Sequence, residues 1–225
     1  MNKQLCKQAF IATLPVLSGY VVLGTGFGIL LQSKGFGLGW AVAMSIFIYA
    51  GSMQYLAVDL LSGGVGLIAA GLTTLMVNAR HIFYGISMIG KYMDTGWRKP
   101  YLIFGLTDET YSLNCAEEKP RDYYFLVTLF NQIYWVAGSA LGAVLGSVLP
   151  FSTEGIDFSL TALFITVFVE QWRSTRDHIP ALIGVGASLL CLAVFGAGNF
   201  LIPAMVVITL ALSVYRKKEG GENHA

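Results

Sequence analysis

Four side chains able to bind or transfer charge lie close together in an otherwise apolar stretch. The stretch covers residues 65–89, VGLIAAGLTTLMVNARHIFYGISMI, and its second half contains Asn78, Arg80, His81 and Tyr84. A guanidinium binds a carboxylate through two parallel hydrogen bonds, and an imidazole changes charge near physiological pH. The stretch is long enough to cross a bilayer, which takes roughly 20 apolar residues. Since an arginine at mid-membrane costs about 2.5–3.5 kcal/mol, a function that offsets this cost is expected.

The positions of these polar side chains limit what can surround them. On an α-helix they spread over about half of the circumference, which a helix facing lipid does not tolerate. Either protein surrounds the helix, or its backbone opens here to line a cavity. A buried polar network that only fixes helix packing is the alternative.

The composition is typical of a polytopic membrane protein. Of 225 residues, 55% are hydrophobic and 12% are charged, and the mean hydropathy is +0.65. These values predict an all-α, polytopic bundle of membrane helices. The net charge of +1 gives no sign of a nucleic-acid partner. Cys6, Cys115 and Cys191 have no metal-ligand spacing, so neither a metal nor a cofactor is expected.

The apolar runs predict a single transmembrane domain over residues 1–225, with short cytoplasmic tails at 1–8 and 216–225. No room is left for a soluble enzyme domain, and the sequence contains no phosphate-binding GxxxxGK[ST] motif. The remaining spans are expected at residues 10–31, 38–61, 101–115, 123–149, 156–169, 178–195 and 199–214.

The second apolar run, residues 38–61, is interrupted by polar and small residues. Gly51, Ser52 and Gln54 lie in its middle, and Gly-Ser pairs are places where a membrane helix kinks or unwinds. The N-terminus of a half-helix at mid-membrane has a positive dipole end that suits a carboxylate. The run is therefore either two half-helices that meet at Gly51 and Ser52, or one continuous helix in which Gln54 bonds to a neighbour.

Two adjacent acids, Asp108 and Glu109, lie in the run 101–115. Successive residues on a helix differ by about 100°, so the two cannot share one face. One of them can face inward and pair with Arg80 while the other lies near water. The alternative is that both lie in a solvated helix end.

The run 123–149 contains a regular series of small residues. Gly138, Gly142 and Gly146 recur every four residues, a spacing typical of close helix packing in membranes. The series predicts a contact with another helix or with a partner subunit.

Basic residues favour cytoplasmic loops, and their distribution places both termini and the loop 116–122 in the cytoplasm. If 38–61 and 101–115 both cross, the chain has eight crossings and the basic loop 91–99 lies outside, against the rule. If both are re-entrant, the chain has six crossings and that loop lies inside. The length of 38–61 favours about seven to eight helices, some of them broken or re-entrant.

Three motifs resemble those of the AzlC family of integral-membrane permease subunits. They are FIYAGSMQYLA (47–57), NARHIFYGIS (78–87) and LTDETYSL (106–113), and the resemblance extends over nearly the whole chain. It implies a secondary carrier that exports branched-chain amino acids (leucine, isoleucine, valine or analogues) from a bacterial inner membrane. It also implies a small AzlD- or YgaH-like membrane subunit as a partner.

Roles for the motif residues follow from the chemistry of a zwitterionic, apolar substrate, which needs a donor, an acceptor and an apolar pocket. Arg80, or the amide groups of Gly51 and Ser52, can bind the carboxylate, and Asp108 or Glu109 can bind the ammonium. His81, with Asp108, is the candidate for proton coupling. The full set of candidate substrate-binding residues is Gly51, Ser52, Gln54, Asn78, Arg80, Tyr84, Asp108 and Glu109, and the candidate pocket is lined by Met53, Tyr55, Leu75, Met76 and Phe83.

Other functions remain as alternatives. One is transport of a different small zwitterionic or apolar solute, since a family resemblance does not fix a substrate. Another is a channel or a scaffold subunit without transport activity. A membrane-embedded enzyme would use His81 and Asp108 as acid and base, but no nucleophile or metal set accompanies them, so the chain is not expected to be an enzyme.

Overall fold

The computed structural model describes residues 3–115, 118–148, 177–196 and 200–222, together with isolated positions between 158 and 173. All regular structure in these residues is helical, and they contain no strand, which confirms the all-α prediction. The chain divides into two compact units, Met1–Thr161 and Ala162–Ala225, and each is described by itself. The predicted span 156–169 lies largely outside the described residues, and a single domain over the whole chain stays a prediction.

The first unit contains eight α-helices among its described residues, which are α1 (Lys3–Ser33), α2 (Leu38–Phe47), α3 (Gly51–Ser62), α4 (Leu67–Val77), α5 (Ala79–Tyr92), α6 (Lys99–Phe104), α7 (Asp108–Cys115) and α8 (Arg121–Val148). A short 3₁₀ turn, Gly96–Arg98, precedes α6. By length and composition, α1 and α8 are long and apolar enough to cross a membrane. The second unit contains α9 (Ile179–Phe195) and α10 (Leu201–Glu222).

Helices α1 and α8 form the frame of the first unit, and glycines let their backbones touch. A Cβ built on Gly28 would lie 2.2 Å from the carbonyl oxygen of Ser139, and one on Gly142 would lie 2.1 Å from that of Thr25. Further along, Gly146 faces Ile29 and Gln32. Residue numbers on the two helices rise together, so α1 and α8 run parallel. The predicted glycine contact is confirmed, and it is made with another helix of the same chain.

Three of the predicted spans are interrupted rather than continuous. The run 38–61 breaks at residues 48–50 into α2 and α3, with Tyr49 at a φ of 41°. This decides between the two alternatives in favour of half-helices. The central span breaks at Asn78 between α4 and α5, and the run 101–115 breaks at 105–107 between α6 and α7.

Helices α6 and α7 form a hairpin whose tip reaches the middle of α8. Along α6, the Tyr101 ring lies 5.6 Å from that of Phe125. At the end of this helix, a Cβ on Gly105 would lie 2.2 Å from Thr128 Cγ2. Beyond the tip, Asn131 Nδ2 donates to Thr110 Oγ1 at 3.0 Å.

The hairpin then returns to the end of α8 where it began. The backbone N–H of Lys119 donates to the Tyr124 hydroxyl at 2.9 Å. An ion pair joins Arg98 to Asp122, and a second joins Arg121 Nη2 to Asp94 Oδ2 at 3.2 Å. The loop before the hairpin and the loop after it therefore lie side by side.

Helices α2 and α3 make a similar hairpin from the opposite end of the frame. Gln132 Nε2 donates to the carbonyl of Ile46 at 3.4 Å, and Gly51 lies under the Trp135 ring, which would be 2.9 Å from an added Cβ. After the break, the Tyr55 hydroxyl donates to the carbonyl of Leu23 at 2.7 Å, and Val58 packs in the same buried cluster as Leu31. Helix α3 thus runs back towards the end of α1 from which the hairpin started.

The second unit contains the last two predicted spans as helices, α9 and α10. The Trp172 and His178 rings stack at 4.1 Å. Asp177 precedes α9, accepting a hydrogen bond from Ile179 N at 3.0 Å and another from the Tyr215 hydroxyl at 3.0 Å. A cavity of about 560 Å³ in this unit is lined mainly by apolar side chains, and none of the predicted site residues contributes to it.

Candidate functional site

Three of the predicted residues meet where three helices begin. Arg80 lies in the first turn of α5, Ser52 in the first turn of α3, and Asp108 is the first residue of α7. Arg80 Nη2 donates to Ser52 Oγ at 2.8 Å, and Arg80 Nη1 lies 3.1 Å from Asp108 Oδ2. The breaks in the helices therefore bring a guanidinium, a carboxylate and a hydroxyl to one point.

The ion pair leaves several polar atoms of this cluster without a partner. Arg80 Nε, Asp108 Oδ1 and Asn78 Oδ1 are buried, and none of them has a hydrogen-bond partner among the described residues. The Arg80 and Asp108 side chains nevertheless keep 30% and 26% of their surface exposed. Unpaired buried polar groups are rare and costly, so one donor and two acceptors collected here indicate a polar ligand.

The helix starts add positive potential to the cluster. No side chain caps the first turn of α3 or α5. At α7, Thr107 Oγ1 accepts from the backbone N–H of Thr110 at 3.3 Å. Because a helix N-terminus carries roughly half a positive charge, the ends of α3 and α5 reinforce Arg80, and Asp108 balances part of that charge.

Glu109 points away from this cluster, to a different partner. Its Oε2 accepts a hydrogen bond from the Tyr20 hydroxyl at 2.6 Å, and that hydroxyl also lies 2.8 Å from Thr107 Oγ1. The side chain is half-buried. Only one of the two adjacent acids pairs with Arg80, as expected, but the other is held by a tyrosine of α1 instead of facing open water.

Gln54 and Gly51 belong to the packing between α3 and α8. The Gln54 side chain is fully buried. Its Nε2 donates to Ser45 Oγ at 3.2 Å, and its Oε1 accepts from Trp135 Nε1 at 2.7 Å. Both ends of the amide are engaged with Ser45 and Trp135, so the structure does not bring Gln54 to Arg80.

His81 and Tyr84 lie beside the cluster on α5. His81 Nδ1 is 3.2 Å from the carbonyl oxygen of Asn78, and its ring lies 5.8 Å from that of Tyr84. Tyr84 stacks on Tyr111 of α7 at 4.4 Å. Its hydroxyl lies near the Asp108 carboxylate, but Asp108 Oδ1 has no hydrogen-bond partner among the described residues. Both side chains are half-buried.

The predicted apolar pocket is not assembled in this chain. Met53 and Tyr55 are buried in the core between α1, α3 and α8. Leu75 and Phe83 lie on the surface of the first unit, 61% and 66% exposed. These residues therefore do not converge on one cavity.

Comparison with known proteins identifies the family of this chain. The family model described as AzlC protein matches residues 15–149, a region that contains all the contacts of the cluster described above. The chain belongs to the AzlC family. The resemblance of the three sequence motifs is thereby confirmed.

AzlC-family relatives match over most of their length. A branched-chain amino acid transport protein, AzlC, of Bacillus subtilis is 46% identical over 216 residues, which is 94% of this chain and 85% of the relative. An uncharacterized membrane protein of Helicobacter pylori is 41% identical, over 94% of this chain and 95% of the relative. The inner membrane protein YgaZ of Escherichia coli is 26% identical, over 78% and 76% of the two chains. No solved structure matches this chain at a significant level.

Sequence reasoning missed several residues that hold this AzlC-family site together. Tyr20 and Trp135 each bond to a predicted residue, and Thr107 bonds to Tyr20. Tyr20 lies in a glycine-rich span that resembles ordinary packing, and nothing in its neighbourhood indicates an acid as its partner. The polar residue Asn131 inside the apolar span 123–149 was the available signal that α8 contributes to a polar centre.

Proposed function

We propose that this protein carries branched-chain amino acids across a bacterial inner membrane, as the large subunit of a secondary carrier. The observation that supports this most is the contact of Arg80 with Asp108 and Ser52, which leaves one donor and two acceptors unpaired. A free amino acid presents the complementary groups, a carboxylate and an ammonium. The name of the Bacillus subtilis relative supports the substrate class.

In this proposal the two ends of the substrate divide between opposite charges. The carboxylate binds the guanidinium of Arg80, with the Ser52 hydroxyl and the first turns of α3 and α5 nearby, because planar guanidinium and carboxylate groups match. The ammonium binds Asp108 and the Asn78 oxygen. Substrate binding then exchanges the ion pair within the protein for two ion pairs with the ligand, so little charge is left unbalanced.

The helix breaks are proposed to lie near the bilayer midplane. Tyr20 lies near the middle of α1, and Asn131 and Trp135 lie near the middle of α8. All three bond to residues at the tips of the hairpins. Secondary carriers bind substrate at mid-membrane between discontinuous helices, and interrupted backbone is tolerated there only when protein or a cavity surrounds it.

We further propose that both hairpins are re-entrant, which gives six crossings. The α2–α3 hairpin begins and ends near the C-terminal end of α1, and the α6–α7 hairpin begins and ends near the N-terminal end of α8. Because α1 and α8 run parallel, the hairpins enter from opposite sides. The basic loop 91–99 then lies in the cytoplasm with the loop 116–122, in agreement with the distribution of basic residues.

Export and the small AzlD- or YgaH-like subunit complete the proposal, and both rest on the family resemblance. None of the residues of α4 is buried, and Phe83 of α5 is largely exposed. A small membrane subunit that covers α4 and α5 would shield the neighbouring Arg80 from lipid and supply apolar walls for the substrate side chain.

Leucine counterflow in proteoliposomes that contain the protein and its small subunit tests this function. We expect saturable exchange of internal for external leucine, and loss of that exchange in Arg80→Gln because the carboxylate loses its donor. Lys34→Gln, which removes an exposed cation from the α1–α2 loop, serves as the control and should exchange normally. Wild-type counterflow in Arg80→Gln would contradict the site, and flux without saturation or exchange would identify a channel.

A further inference from the structure

We propose that Glu109 carries the proton that couples transport to a pH gradient. This inference rests on the proposed function and deepens it, since it names the coupling ion and its binding residue. The observation behind it is the separation of two neighbouring acids: Asp108 faces Arg80, whereas Glu109 faces Tyr20. One acid is thus matched with a cation, and the other is not.

Among the described residues, the recorded neighbours of Glu109 are neutral or acidic. From α1 it faces the Tyr20 hydroxyl, and from the α2–α3 connection it faces Tyr49. On its own helix the neighbours are Thr107 and Asp108. The described part of the chain contains no ion pair made by Glu109, in contrast to Asp108. Uptake of a proton would remove a negative charge that makes no ion pair among the described residues.

Helix α8 contributes a neutral residue to the same chain of hydrogen bonds. Asn131 Nδ2 donates to Thr110 Oγ1, and the same Thr110 oxygen accepts a hydrogen bond from Thr107 Oγ1. Asn131 Oδ1 is buried and unpartnered among the described residues. The chain of hydroxyls that starts at Tyr20 and passes through Thr107 and Thr110 can exchange donor and acceptor roles with either charge state of Glu109, which a proton-binding site requires.

The proton-transfer step changes only one O–H bond. A proton from water on one side adds to a Glu109 carboxylate oxygen and gives the neutral acid. The Tyr20 hydrogen bond then joins two neutral groups, and such bonds are about half as strong as bonds to a carboxylate. Release of the proton to the other side restores the carboxylate, and no oxidation or reduction takes place.

Protonation of Glu109 reaches the substrate cluster through the first turn of α7. The Tyr20 hydroxyl contacts both Glu109 and Thr107, and Thr107 caps the helix that begins at Asp108. A weaker hydrogen bond between Tyr20 and Glu109 therefore loosens the tip of the α6–α7 hairpin, where Asp108 contacts Arg80. This link is the physical reason for coupling proton binding to substrate release.

The two residues predicted for proton coupling are less suited to this task. Asp108 is already compensated by Arg80, so a proton there would have to displace the ion pair. A second positive charge on His81 would lie beside the guanidinium of its sequence neighbour Arg80.

Proteoliposomes distinguish coupling from transport when each variant is measured in two modes, leucine counterflow without a gradient and leucine accumulation driven by a pH gradient. We expect Glu109→Gln to lose accumulation while counterflow falls by a much smaller factor, because glutamine keeps the size of the side chain but cannot release a proton. Glu118→Gln, which changes an exposed acid in the loop before α8, is the matched control and should behave as wild type in both modes.

Three results would overturn the inference. They are accumulation by Glu109→Gln equal to wild type, accumulation that follows a sodium gradient and not a pH gradient, and loss of accumulation in His81→Gln but not in Glu109→Gln. Absence of wild-type counterflow would instead contradict the proposed function.

A second measurement tests Glu109 independently of transport. Acidification should produce, among the infrared C=O bands of protonated carboxyl groups, one band that belongs to Glu109 and is present in wild type and in Glu118→Gln. The inference requires this band to be missing in Glu109→Gln, and its full retention there would overturn the inference.

Discussion

Arg80 shows what single residues can and cannot predict. An arginine in an apolar span needs a partner of opposite charge, and the acids Asp108 and Glu109 were available for this. The sequence therefore indicated the ion pair, and the structure contains it. Which of the two acids takes part could not be predicted, since it depends on where α7 begins, and that depends on the cap formed by Thr107.

The hydrogen-bond partners of Glu109 and Gln54 could not be predicted from the sequence in this way. Tyr20 precedes Glu109 by 89 residues, and Trp135 follows Gln54 by 81 residues. Both donors lie on the long helices, where a tyrosine or tryptophan is equally suited to packing or to the membrane interface. Only the parallel arrangement of α1 and α8 brings them to the level of the helix breaks.

At the same residue scale, the geometry of Arg80 predicts a graded result in the counterflow measurement. Arg80→Lys keeps the positive charge but cannot contact Ser52 and Asp108 together through one planar group. We expect its exchange rate to lie between that of wild type and that of Arg80→Gln. If Arg80→Lys were as inactive as Arg80→Gln, the simultaneous contact with Ser52 and Asp108 would matter more than the positive charge.

At the scale of helices, the sequence predicted the small-residue contact and the possible break at Gly51. It did not predict the break at 105–107, because Gly105 lies in a short run that also reads as an ordinary helix. The structure explains this glycine, since a Cβ there would overlap Thr128. The contact between α1 and α8 requires glycine at several positions, Gly138, Gly142 and Gly146. Because these glycines recur at a regular spacing, the contact could be predicted from the sequence.

The close contact between α1 and α8 predicts that substitutions at two glycines differ in their effect on stability. Gly142→Ala should destabilise the protein by about 1–3 kcal/mol, the usual cost of overpacking, since the new methyl group would meet the Thr25 carbonyl. Gly19→Ala on α1 is the control, because nothing lies within 4 Å of its added Cβ. Thermal unfolding of both variants in the same detergent measures the effect, and equal melting temperatures would contradict the close parallel contact between α1 and α8.

At the scale of the whole molecule, charge alone left six and eight crossings open, and the length of 38–61 favoured the larger number. The contacts of the two hairpins favour six. Length does not decide between the two counts, because a pair of short half-helices contains as many apolar residues as one crossing helix. The return of each hairpin to its starting end depends on contacts between distant residues, which hydropathy does not record.

Cysteine labelling measures the topology directly. In a background without Cys6, Cys115 and Cys191, single cysteines replace Lys34, Val65, Trp97 and Glu118, and an impermeant maleimide is added to vesicles of known orientation. Two re-entrant hairpins require that positions 34 and 65 react from one side and that 97 and 118 react from the other. With eight crossings, the members of each pair would react from opposite sides.

The division of a zwitterion between Arg80 and Asp108 is tested most directly by the binding of leucine and two analogues to the complex with the small subunit. One analogue lacks the carboxylate (isoamylamine), and the other lacks the amino group (4-methylpentanoate). Calorimetric titration should show binding of leucine and much weaker binding of both analogues to wild type. Arg80→Gln should lose the preference for leucine over isoamylamine, and Asp108→Asn should lose the preference for leucine over 4-methylpentanoate. Unchanged preferences in both variants would contradict the proposed site.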